Sequence, residues 1–82
     1  MEHLNLLKKL VLNVSETALV LGFNTNRRRA AKIQAIIRNS EQNKDKYFKK
    51  GTIYKANEVT SLDLALWMGW SKEDYSYFCS RG

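Results

Sequence analysis

Leucines, isoleucines and valines come in short regular groups along this chain, each closed by a polar or glycine-bearing break. In residues 1–11, Leu4, Leu7 and Val11 fall at i, i+3 and i+7, with Leu6 and Leu10 beside them and Lys8 and Lys9 opposite. This spacing predicts an amphipathic N-terminal helix over residues 1–11, too short to persist alone and therefore docked. SETALVLG predicts the next helix, with Ser15 as N-cap and Glu16 at the positive end of the dipole. Ala18, Leu19 and Leu21 supply its buried face, and Gly22 stands where a helix end needs a left-handed residue. FNTN reads as a tight corner in which Asn24, Thr25 or Asn26 can cap the next helix. RRRAAKIQAIIRN then repeats its apolar positions at Ala30, Ile33 and Ile37, widened by Ile36, while Arg27, Arg29 and Lys32 fall away from the stripe.

The second half is less periodic. Residues 40–46 are polar and read as a loop. YFKKGTIYKAN predicts a hairpin over residues 47–56, Tyr47 and Phe48 facing Ile53 and Tyr54 across a Lys49–Lys50–Gly51–Thr52 turn. After Asn57 the pattern is helical to Gly69, and Ser71 with Asp74 signals a last capped helix, so residues 58–80 carry two C-terminal helices. No repeat is evident along the chain. The expected class is α+β, mostly helical, in one domain spanning 1–82.

Charge sharpens this picture. Residues 1–26 are neutral and residues 56–82 carry −2, so the +6 excess comes from residues 27–55, which carry +8. A basic middle third between neutral and acidic ends fits a polyanionic partner, the alternative being a basic solvated face. No apolar run is long enough to span a bilayer. The N-terminus lacks the pattern of a signal peptide, and a single cysteine, Cys79, cannot form an internal disulfide. The expected location is cytoplasmic, without a membrane partner.

Candidate chemistry is sparse. One histidine, His3, and one cysteine, Cys79, near opposite ends make no metal site, and isolated glycines make no phosphate loop. Glu73 and Asp74 are adjacent and diverge on a helix, a poor acid–base pair. The expectation is a non-enzymatic protein with no cofactor and no small-molecule substrate.

LNVSETALVLGFN, residues 12–24, resembles the opening of the winged helix-turn-helix of excisionases and MerR-type regulators. Leu12, Asn13, Val14, Glu16, Ala18, Leu21, Gly22, Phe23 and Asn24 carry the likeness, which resumes at KGTIYKANEVTSLDLALW, residues 50–67, similar to the family's wing strand and following helix. The resemblance implies a helix-turn-helix over 15–39 with a short β-hairpin wing at 47–56. Where the family packs a valine or leucine of the recognition helix, this chain has Arg28. That leaves two readings: a turn longer by a residue or two, or an Arg28 stem laid over the gap.

The implied function is sequence-specific binding of duplex DNA, as an excisionase-like factor that bends DNA in recombination or as a transcription regulator of a phage or mobile element. A recognition helix presents its first residues to base edges, which nominates Thr25, Asn26, Arg27, Arg28, Arg29 and Lys32. Lys49, Lys50 and Lys55 would meet the phosphate backbone from the wing. The rival reading is a phage- or plasmid-encoded protein-binding module docked on an acidic host surface. Trp67, Trp70, Tyr75, Tyr77 and Phe78 are either added core or an interface to a second copy, a recombinase or a polymerase.

Overall fold

The computed structural model describes residues 2–24 and 26–81. An N-terminal 3-10 helix (Glu2–Lys8) leads to strand β1 (Val11–Leu12) and helices α1 (Val14–Val20), α2 (Arg27–Arg38) and α3 (Lys44–Phe48). Strand β2 (Val59–Thr60), α4 (Ser61–Trp67) and α5 (Lys72–Ser80) complete an α+β, mostly helical chain. The strands pair antiparallel, Val11 opposite Thr60 and Leu12 opposite Val59. Leu7, Leu12, Ile37, Tyr47, Val59 and Leu64 form the buried core, drawn from both halves of the sequence.

Several expected elements are redrawn. The predicted N-terminal helix of residues 1–11 is a tighter 3-10 helix that stops at Lys8. Beyond it, the strand ladder claims Val11, and the Ser61 N–H donates to Leu10 O at 3.0 Å. That pairing is long-range, so local spacing could not report it. Helix α1 starts earlier than predicted, because Asn13 rather than Ser15 is its N-cap. Asn13 Oδ1 accepts from the Glu16 N–H at 2.8 Å while Glu16 Oε1 accepts from the Asn13 N–H at 3.1 Å, a reciprocal capping box.

The predicted loop at 40–46 contains the start of α3, and the predicted hairpin at 47–56 does not form. Tyr47 and Phe48 end α3, where helical geometry sends them apart: Tyr47 is 2% exposed and Phe48 is 53%. The Thr52 N–H donates to Lys49 O at 3.0 Å and closes a turn through Gly51 at φ 89°. The chain then runs on without pairing. Its strand character appears only at Val59–Thr60, where β1 offers the partner. For the same reason the helix expected from residue 58 begins at Ser61, with Thr60 as its N-cap.

Two segments share one design that inspection of the sequence alone missed. Residues 13–23, NVSETALVLGF, and residues 60–70, TSLDLALWMGW, each run from a capping residue through an acid at the third helical position to Ala, then Gly and an aromatic. Both helices end in a Schellman motif. Phe23 N donates to Ala18 O at 2.8 Å and Gly22 N to Leu19 O at 3.2 Å; Trp70 N donates to Ala65 O and Gly69 N to Leu66 O, each at 3.0 Å. Gly22 and Gly69 have φ of 79° and 100°, the left-handed values this motif requires. Each unit is preceded by one of the paired strands and followed by a longer helix. The chain therefore holds two strand–helix–turn–helix units joined through their strands.

Candidate nucleic-acid interface

Helices α1 and α2 pack on each other, and each buries a small side chain completely, Ala18 on α1 and Ala30 on α2. The crossing is fixed by a polar contact as well. Gln34, 2% exposed, donates from Nε2 to Thr17 Oγ1 at 3.0 Å, and Thr17 Oγ1 donates to Asn13 O at 2.8 Å. A satisfied buried amide of this kind specifies one register for the pair.

That register answers the question raised by Arg28. Helix α2 begins at Arg27, capped by Asn26, whose Oδ1 accepts from the Arg29 N–H at 3.2 Å. Ala30 is the first residue that packs inward, and Arg28 is exposed. Arg28 therefore lays no stem into the packing between the helices, and Asn24 adopts φ 57° in the turn that joins them. Ala30, Gln34 and Ile37 form the buried row. Its opposite, at i, i+4, i+7 and i+11, is Arg28, Lys32, Ala35 and Asn39, all exposed. Ile36 lies on this outer side at 57% exposure and does not widen the core stripe as expected. Ala30 and Ile37 are buried and Ile33 packs partly buried against the core, as expected; the polar Gln34 joins them at an inward position that the apolar pattern does not mark.

Arg27 and Arg29 flank the outer row, exposed. The Arg29 guanidinium sits 4.3 Å from the centre of the Phe23 ring, a cation–π contact that aims it across the turn. Asn26, Arg28, Arg29 and Lys32 line a shallow depression beside the start of the helix. Thr25, also nominated from the sequence, lies outside the described residues. None of Arg27, Arg28, Arg29 and Lys32 makes a salt bridge to a described residue.

The charge at the start of α2 runs against the other helices. Helices α1, α3, α4 and α5 carry Glu16, Asp45, Asp63, and Glu73 with Asp74 in their first turns. Helix α2 carries no acid there and three arginines instead. Cations at the positive end of a helix dipole each cost about 0.3–1 kcal/mol.

The remaining cations of the basic segment divide by role. Lys49, Lys50 and Lys55 are exposed on the loop after α3. Arg38 is structural: it donates to Ala56 O and lies 4.9 Å from the Phe48 ring centre, tying the C-terminal end of α2 to that loop. Lys46 is also committed, donating to Asp63 Oδ2 at 2.7 Å. The same carboxylate oxygen accepts from the Tyr47 hydroxyl at 2.5 Å, and the Tyr47 oxygen accepts from the Thr60 N–H at 2.8 Å. Burial alone would raise the Asp63 carboxyl, but the hydrogen bonds from Lys46, Tyr47 and Thr60 outweigh it and hold it below the usual range. Burial, then the bond to Asp63, pushes the Tyr47 hydroxyl up to about 12.

The C-terminal aromatics split into two groups. Trp70, Tyr75 and Phe78 are half-buried against the core; Trp70 and Phe78 meet edge-on at 5.4 Å, and the Tyr75 hydroxyl donates to Leu7 O at 3.0 Å. Trp67 and Tyr77 are exposed. Among the described residues no group of three His, Cys, Asp or Glu could hold a metal ion, and no helix is long and apolar enough to cross a membrane. Compared with protein-family models, curated proteins and solved structures, the chain matches none.

Proposed function

We propose that this protein binds duplex DNA without catalysing a reaction, using α1 and α2 as a helix-turn-helix with α2 as the reading helix. The observation that carries the reading is the reversed charge at the start of α2, where three arginines replace the first-turn acid found on the other helices. A cost in helix stability retained on an outward face fits selection for an anionic ligand. In the major groove, Arg28 and Lys32 would occupy the centre of contact, with Arg27 and Arg29 reaching phosphates or guanine edges on either side. Ala31 and Ala35, both exposed, leave room for close approach, and Ile36 offers a surface to thymine methyl groups. Asn26 is occupied as a helix cap, which favours a positioning role for it over base reading. The loop lysines Lys49, Lys50 and Lys55 would hold the flanking backbone. The reading fits a cytoplasmic DNA-bending accessory factor or a transcription regulator of a mobile element or phage. The part played by a hairpin in winged proteins falls here to an irregular loop.

Affinity for a random-sequence duplex measured against salt tests this directly. The Arg28→Ala/Lys32→Ala double variant should bind more weakly and lose about 0.9 of log–log salt slope for each phosphate contact removed. Equal affinity and equal slope in the double variant would contradict the assignment.

The exposed Trp67 and Tyr77 favour a second reading, a protein-binding module anchored by those rings. Its partner would be a second copy, a recombinase, a polymerase or an acidic host protein. That reading predicts a stoichiometric protein complex lost on Trp67→Ala/Tyr77→Ala, with no salt-dependent duplex binding.

A further inference from the structure

Ile53 is 80% exposed, more than any other large apolar side chain among the described residues. A lone exposed isoleucine is ordinary; the way this one is held is not. Its neighbours are fastened on both sides. Thr52 Oγ1 donates to Lys46 O at 2.7 Å, and Tyr54 N donates back to Thr52 Oγ1 at 3.3 Å. The Tyr54 ring packs on Tyr47 with centroids 5.3 Å apart. Further on, Lys55 N donates to Glu58 Oε1 at 3.0 Å, and Ala56 O accepts from Arg38. With Thr52 and Tyr54 drawn toward the protein, the intervening side chain is pushed outward on a braced loop. Little ordering remains to be done when it enters a site.

Its surroundings say what kind of site. Lys49, Lys50 and Lys55, all exposed, bracket Ile53 along the loop, with a turn through Gly51 at φ 89° between the lysine pair and Ile53. An apolar tip set among cations is mismatched to an apolar protein groove and matched to a base step lying between two rows of phosphates. Arg38 ties this loop to the C-terminal end of α2, a helix about 18 Å long with its arginines at the other end. Half a turn of duplex, the step from a major groove to the next minor groove, is about 17 Å.

We propose that Ile53 is a wedge that enters the minor groove next to the major groove occupied by α2, partly unstacks one base step and bends the duplex. Lysines at 49, 50 and 55 neutralise the phosphates on either side of the opening. The proposal rests on the DNA-binding reading above and adds to it the residue that deforms the DNA. Side chains of this type kink duplexes by about 20–90°, most readily at flexible pyrimidine–purine steps.

The test is end-to-end energy transfer on a duplex of about 30 base pairs carrying TA steps, with binding measured on the same sample. The wild type should shorten the end-to-end distance on binding. Ile53→Ser should bind within several-fold of wild type yet leave the duplex straight, and Ile53→Leu should restore the bend. Because Ile53 is exposed, the denaturation midpoint of each variant should match wild type. A bend of equal size in Ile53→Ser overturns the wedge, as does salt-dependent binding by wild type with no bend. Absence of salt-dependent duplex binding by wild type overturns the DNA reading and the wedge together.

Discussion

At the scale of single residues, the Tyr47–Asp63–Lys46–Thr60 cluster shows how a buried polar group can anchor a small fold. The Tyr47 oxygen is the partner of the Thr60 N–H at the start of α4, and its hydroxyl proton goes to Asp63. Tyr47→Phe keeps the ring but orphans a buried donor, so we expect a loss of about 1–3 kcal/mol in chemical denaturation. A loss below measurement error would show that water replaces the hydroxyl. The Asp63 carboxyl, held below its usual range, adds stability that is present above the ordinary carboxylate pKa near 4 and is lost as pH falls through the lower folded value. Urea midpoints followed from about pH 6 to about pH 2 should therefore drop more steeply in wild type than in Asp63→Asn. Parallel acid limbs would remove Asp63 from the account. Tyr47 acts at the opposite end: its raised value makes stability fall only as pH climbs past 10 toward 12.

At the scale of elements, the turn that joins α1 to α2 depends on Gly22. A methyl group added there would have nothing within 4 Å, so Gly22→Ala meets no clash, and its cost is the backbone penalty of φ 79° alone. We expect about 1–2 kcal/mol by thermal or chemical denaturation. An unchanged midpoint would mean that the turn can be made another way. Much at this scale was legible in the sequence: α2 from its periodicity, a cap for it among Asn24, Thr25 and Asn26, the glycine ends at Gly22 and Gly69, and the Ser71 cap of α5. The features that escaped it depend on distant partners. Val11–Leu12 and Val59–Thr60 become strands only because the two segments find each other across the fold. Tyr47 and Phe48 alternate as a strand would, yet the first is drawn under the core while the second faces solvent as helix neighbours do. Gln34 escaped as a member of the buried row of α2 because a polar residue holds an apolar place beside the expected Ala30 and Ile37. The candidate site was legible as a charge cluster, and its centre at Arg28 and Lys32 emerged only once that row was known.

At the scale of the whole molecule, two similar strand–helix–turn–helix units carry opposite surfaces. The second helix of the first unit opens with Arg27, Arg28 and Arg29; that of the second opens with Lys72, Glu73 and Asp74 and presents Tyr77. On the proposed reading, the basic unit is the one that holds the polyanion. The loop bearing Lys49, Lys50 and Ile53 belongs with the basic end, because Arg38 fastens it to α2. We propose this basic unit, with its loop, as the duplex-binding face. Backbone-amide NMR with a short random-sequence duplex, titrated at low and moderate salt, tests it most directly. Salt-sensitive shifts are expected at residues 26–36 and 49–55, with residues 67–81 unmoved. Shifts confined to residues 67–81, or none at all, would contradict it.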